Sequence, residues 1–95
     1  MIEKRDFYIN GQWVAPAAAN DFEVINPSTE DACAVISLGS EADTNAAVAA
    51  AKAALPGWMA TPVEERIALV EKLVDVYEAR AEDLAQAMSL EMGAP

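Results

Sequence analysis

The most regular feature of the chain is a run of large apolar residues near its end. Val63, Ile67, Val70, Val74, Tyr77, Ala81, Leu84 and Met88 recur at spacings of 4-3-4-3-4-3-4. That alternation holds one stripe on one face of an α-helix, whose period is about 3.6 residues. A second stripe, Leu69, Leu73 and Val76, falls on another face. No Gly or Pro interrupts residues 63–92, so the pattern predicts one or two helices over 62–92. A break near Glu78–Ala81 is compatible with it but not dictated. Gly93, with Pro95 two residues on, is the stop signal. Thr61-Pro62-Val63-Glu64 is the start signal, with Thr as N-cap and Pro at the first helical position.

A second helix is expected from about 41 to 55. Ser40 and Asp43 form a capping box with Asp in the third place, and its acids sit in the first turn, where the helix dipole favours them. The segment is nearly all Ala, with Val48 and Leu55 its only large apolar residues. Pro56-Gly57 is expected to end it.

Before residue 40 the period changes to two. "FYINGQWV" (7–14) reads as a hairpin, because Asn10-Gly11 supplies the two positive-φ residues of a type I′ turn. Its arms are short and must rest on something. Residues 15–21 read as a loop. Phe22, Val24 and Asn26 alternate with Glu23 and Ile25, a strand pattern that Asn26-Pro27 ends. Val35 to Leu38 makes another short strand, able to pair antiparallel with the first through Ser28–Asp31. The expected class is α+β: β-hairpins and loops over 1–39, helices over 40–95.

One stripe is what a surface helix of a small domain buries. Leaving the second stripe wet forgoes about 1.5–3 kcal/mol per large side chain. The short strands and the Ala helix offer too little surface to cover both. The 95 residues are therefore expected to be an incomplete domain, with Pro95 a cut rather than a natural end.

Composition narrows the function. Hydrophobic residues are 54% of the chain, but 21 of those 51 are Ala, which carry little transfer energy. The net charge of −10, from 16 acids and 6 bases, argues against nucleic acid and anionic membranes as partners. One Cys fits a reducing compartment, the N-terminus has no apolar signal region, and a cytoplasmic protein is expected.

The chemistry is sparse. There is no His, and so no His-based triad and no His metal ligand. The glycines, 11, 39, 57 and 93, stand apart at turns or helix stops and form no phosphate-cradling loop. Cys33 lies in a strand pattern among acids and reads as a small half-buried residue rather than a nucleophile. Glu64, Glu65, Glu71, Asp75 and Glu78 read as solvated helix surface, with Arg66, Lys72 and Arg80 as i,i+3 and i,i+4 partners. Trp13 and Trp58 read as packing anchors.

Taken in order, "FYINGQWV", "FEVINPSTED", "EADTNAAVAAAKAALPGW" and "TPVEERIALVEKLVDVYEARAEDLAQAMSLEMGAP" resemble the N-terminus of the aldehyde dehydrogenase superfamily. The resemblance covers about residues 6 to 95. No single motif is specific; the ordered set of four is. It implies a parent of roughly five times this length that oxidises aldehydes to carboxylic acids with NAD or NADP. In such enzymes a Cys thiolate attacks the aldehyde, hydride passes to the nicotinamide, and a Glu activates the water that releases the acid. It also implies an α/β parent with a Rossmann-like cofactor domain, assembled as a homodimer or homotetramer, the segment's first partner being the remainder of its own polypeptide.

The family's catalytic Cys and Glu motifs are absent here, and Cys33 does not match the nucleophile. Asn10-Gly11-Gln12 echoes the polar run before that Cys, but no Cys follows. No catalytic or cofactor-binding residue is therefore expected in this segment. The resemblance does place Val24 and Ile25, just before the "NPST" turn, where backbone carbonyls in several members help to hold a monovalent cation.

Two other classes compete. As a coiled-coil oligomerisation module, 62–92 would place Ile67, Val74, Ala81 and Met88 at a, and Val63, Val70, Tyr77 and Leu84 at d. Val and Tyr are poor d residues for a dimer, and the hairpins go unexplained. As a carrier protein, Ser89 would be the attachment site, but Met88 rather than Asp precedes it.

Overall fold

The computed structural model describes all residues, Met1–Pro95. Its elements are β1 (Ile2–Lys4), β2 (Phe7–Ile9), β3 (Gln12–Val14), β4 (Asp21–Ile25), β5 (Ala32–Ser37), α1 (Glu41–Ala60), α2 (Val63–Ala79) and α3 (Ala81–Met92). The class is α+β.

Asn10 and Gly11 sit at φ 54° and 74°, as the turn requires, and pair Tyr8 with Trp13 across β2 and β3. β4 and β5 run antiparallel through the 26–31 turn, with a register irregularity between Val24 and Ile25. β1 adds in parallel on the far side of β5, giving the order β1-β5-β4. No sequence signal marked β1: its three residues are all exposed, and its partner is about 30 residues away.

Two helix boundaries differ from expectation. α1 does not stop at Pro56-Gly57; it carries Pro56 internally and runs on to Ala60. Pro56 removes one backbone donor, but the helix closes beyond it. The Thr61 amide donates to the Trp58 carbonyl (3.1 Å), and the Thr61 hydroxyl donates to the Gly57 carbonyl (2.9 Å). Thr61 thus finishes α1 rather than capping α2. Pro62 is itself the N-cap of α2, its carbonyl accepting from the Glu65 and Arg66 amides at 3.1 Å each, while Arg66 Nε donates to the Thr61 carbonyl (3.2 Å). The break within 62–92 falls at Arg80, at φ −111° and ψ 13°. That interruption removes the continuous helix a coiled-coil module needs. The Glu–Arg and Glu–Lys partnerships expected along α2 do not form ion pairs; the helical pair present is Arg80–Asp83, at 3.4 Å.

What the elements lack is a core. Only Ala34, Val35, Ser37 and Asp43 are buried. The accessible surface is 7513 Å², against about 5,300 Å² for a compact monomer of this mass. The radius of gyration is 17.0 Å, against about 12–13 Å for a compact domain of this length. The molecule measures 49 × 33 × 15 Å, and its least dimension is little more than the width of one helix, about 10–12 Å. The segment is a single layer with both faces open.

Candidate functional site

The best-organised polar region is the turn between β4 and β5. Asn26 Oδ1 accepts from the Ser28 amide (2.9 Å), a local Asx turn. The Glu30 amide donates to the Asn26 carbonyl (2.8 Å), and the Asn26 amide to the Asp31 carbonyl (2.9 Å). Thr29 Oγ1 accepts from the Asp31 amide (3.3 Å). Glu30 takes φ 64° to close the loop. The end of α3 comes back to this turn: a Cβ built on Gly93 would lie 3.3 Å from Pro27 Cγ.

Val24 and Ile25, whose carbonyls were the candidate cation ligands, lie in β4 just before this turn, Val24 half-buried and Ile25 exposed. The Val24 carbonyl already accepts from the Cys33 thiol (3.4 Å), and Val24 stands opposite Ala34 in the antiparallel ladder. Two carbonyls are far short of the six or so oxygens a hard cation gathers, and no group of three His, Cys, Asp or Glu side chains converges anywhere in the chain.

Cys33 itself is half-buried in β5. Its thiol donates to the Val24 carbonyl of the neighbouring strand (3.4 Å). The structure places it as the sequence did, in a strand, and adds the hydrogen bond, which nothing in the sequence showed.

Asp43 is the most heavily bonded side chain. Its carboxylate accepts from the Ser40 amide (2.9 Å), the Ser40 hydroxyl (3.0 Å) and the Ala17 amide (2.9 Å). Donation from the Ser40 amide, reinforced by the Ala17 amide and the Ser40 hydroxyl, outweighs desolvation and holds the carboxyl below its usual range. The capping box was legible. The tie to Ala17, 26 residues away, was not, because no local pattern encodes it.

The other candidates are scattered. Trp13 and Trp58 are 71% and 43% exposed, so neither anchors a core within these residues. Trp13 instead lies against Tyr8, ring centroids 5.2 Å apart and tilted by 54°. Ser89 is an exposed residue of α3 whose carbonyl accepts from the Gly93 amide. A surface hollow of about 570 Å³ is lined by Glu3, Lys4, Arg5, Asp6 and Trp13. Two acids and two bases cancel there, Arg5 Nε already donates to Asp21 (2.9 Å), and ligand pockets are mostly apolar. Gly11 and Gly93 serve a hairpin turn and a helix stop; Ser40 caps the start of α1, whereas α2 and α3 carry no side-chain cap. No helix is long and apolar enough to cross a membrane.

Comparison with known proteins identifies the family. The family model described as "Aldehyde dehydrogenase family" matches residues 13–95. A 3-succinoylsemialdehyde-pyridine dehydrogenase of Pseudomonas is 44% identical over 95 residues, covering 100% of this chain and 20% of the relative. The crystal structure of an aldehyde dehydrogenase from Bartonella henselae superimposes with a TM-score of 0.97 at 53% identity, over 100% of this chain and 20% of that one. Aldehyde dehydrogenase C of Pseudomonas syringae, solved with NAD+ and octanal, gives 0.92 at 46% identity over 95% of this chain and 19% of that one. The chain thus spans about a fifth of the length of these relatives, and it belongs to the aldehyde dehydrogenase family.

Proposed function

We propose that this chain serves as the N-terminal scaffold segment of an NAD(P)-dependent aldehyde dehydrogenase. The parent reaction is oxidation of an aldehyde to a carboxylic acid through a cysteine thiohemiacetal and thioester. The segment contributes folded surface to that enzyme and no reacting group. The observation that carries this is the 0.97 superposition over every residue of an open layer onto a chain of five times its length. A layer with four buried residues has no core of its own to fix that shape. The matching shape is that of a piece held by more protein.

The NAD(P) cofactor and the catalytic Cys and Glu belong, on this reading, to parts of the polypeptide other than these 95 residues. The parent is an α/β enzyme with a Rossmann-like cofactor domain, a cytoplasmic homodimer or homotetramer. The carbonyls of Val24 and Ile25 would give a monovalent cation two of its ligands, the rest coming from other parts of the subunit.

The test is a chimera in which this chain replaces the matching fifth of the Bartonella henselae enzyme. The expected result is aldehyde-dependent reduction of NAD+ or NADP+ by the chimera and none by the 95-residue chain alone. Turnover by the isolated chain, or a folded chimera without turnover, contradicts the proposal.

A further inference from the structure

The hairpin turn holds a reactive pair as well as a bend. Asn10 and Gly11 are both exposed, at φ 54° and 74°, and lie between β2 and β3. The Ile9–Gln12 pair closes the turn and leaves the Gly11 amide without a hydrogen-bond acceptor in the chain. The Asn10 carboxamide takes part in none of the side-chain hydrogen bonds either. Both residues border a hollow of about 350 Å³ over Ala47, Ala50, Ala51 and Ala54 of α1, and a Cβ built on Gly11 would meet nothing within 4 Å.

The other three asparagines lack this combination. Asn26 precedes Pro27, which has no N–H, and its Oδ1 is held by the Ser28 amide (2.9 Å). Asn45 lies inside α1, where backbone amides are committed to the helix. Asn20 precedes Asp21, whose Cβ crowds its own amide nitrogen and which begins β4.

We propose that Asn10 is a site of spontaneous modification, at which its carboxamide becomes a carboxylate through a cyclic imide closed by Gly11, with water as the co-reactant. The Gly11 nitrogen gives its proton to solvent base and bonds to Asn10 Cγ. The Cγ–Nδ2 bond breaks, and the side-chain nitrogen leaves as ammonia, taking a proton from solvent. Water then opens the imide. Cleavage between Cγ and the Gly11 nitrogen gives Asp. Cleavage between the Asn10 carbonyl carbon and that nitrogen gives isoaspartate, whose main chain runs through Cβ and Cγ. Nothing is oxidised or reduced.

Gly suits the attacking position because no Cβ crowds its nitrogen. The closed turn holds the reaction back, since the Asn10–Gly11 peptide must swing before that nitrogen reaches Cγ. The swing needs local opening only, and strands of three residues are marginal by themselves. Asp keeps the turn, because it also accepts the left-handed region. Isoaspartate lengthens the main chain of a two-residue turn and displaces the Ile9–Gln12 pairing. Either product makes a chain of net charge −10 more negative.

The test is peptide mapping by mass of the polypeptide that carries this sequence, purified from its source cells and aged in neutral and mildly alkaline buffer. The free peptide Phe7–Val14 is aged beside it. The expected result is exchange of NH2 for OH at Asn10 ahead of Asn20, Asn26 and Asn45, with isoaspartate among the products and a rate that rises with hydroxide. That rate should lie within about 100-fold of the peptide's, as local opening of a short hairpin allows. Gly11→Ala should slow conversion by at least about tenfold, although it strains the turn. Earlier conversion of another asparagine, a rate more than about 100-fold below the peptide's, or a Gly11→Ala variant that converts as fast overturns the assignment. Should Gly11→Ala unfold the protein, the same substitution in the free peptide tests the part of Gly11. The outcome turns on Asn10 alone, whether or not the parent oxidises aldehydes.

Discussion

Three glycines make one decisive comparison, because the same added methyl group meets three different situations. Gly93 ends α3 at φ 72°, and its missing Cβ would sit 3.3 Å from Pro27 Cγ. Gly11 lies at φ 74° in the hairpin turn with open space around it. Gly57 lies inside α1, also in open space and without a positive φ. An L residue with a Cβ loses about 1–2 kcal/mol in the left-handed region. Gly11→Ala should therefore cost about 1–2 kcal/mol. Gly93→Ala should cost at least about 2 kcal/mol, since the pyrrolidine ring must also give way and it belongs to a turn closed by its own hydrogen bonds. Gly57→Ala should gain about 0.5–1 kcal/mol, because a helix interior favours Ala. The assay is urea unfolding of the Bartonella chimera, followed by far-ultraviolet circular dichroism. The ordering Gly57→Ala above wild type, then Gly11→Ala, then Gly93→Ala is the expected outcome. A neutral Gly93→Ala would refute the docking of α3 on the 26–31 turn. A destabilising Gly57→Ala would refute the continuation of α1 past Pro56.

Other consequences are local. Ser40→Ala removes the hydroxyl of the capping box and should lower helix stability by about 1 kcal/mol in the same titration. Asp43 has a folded-state pKa below its ordinary 3.8, so its contribution is complete well above that pH. It fades as the pH falls below 3.8 and is gone once the pH passes the folded-state value. Asp43→Asn should abolish this acid-side step in a circular dichroism titration, and an unchanged step would assign it to another carboxylate. Cys33→Ser keeps a donor for the Val24 carbonyl and should leave aldehyde oxidation by the chimera unchanged; loss of turnover in a folded variant would give Cys33 a part in the chemistry.

The sequence was most legible where a single local rule governs. Asn10-Gly11 names its own turn, Ser40 and Asp43 close their own box, and Gly93 takes the left-handed stop its position requires. It misled where a local rule competes with its surroundings. Pro56-Gly57 carries a helix-ending signal, yet the Thr61 hydroxyl and amide reach back to satisfy the carbonyls beyond it, and α1 runs on. β1 was invisible because three residues carry no period and its pairing with β5 is non-local. For the site, Val24, Ile25 and Cys33 sit where the strand pattern put them. The Cys33–Val24 and Asp43–Ala17 bonds depend on chain crossings that no spacing records. The unmatched second stripe of α2 was legible from the start, because too few other residues existed to cover it. The nearly coreless layer is its structural counterpart.

The most direct test of the central claim is the intact mass of the polypeptide that carries this sequence in its source cells, measured alongside aldehyde-dependent NAD(P)+ reduction. A segment of 10.1 kDa that is 20% of its relatives' length puts the expected mass at about 50 kDa, with the activity travelling with it. A functional polypeptide of 10.1 kDa, monodisperse and cooperatively melting as a monomer, would contradict the account.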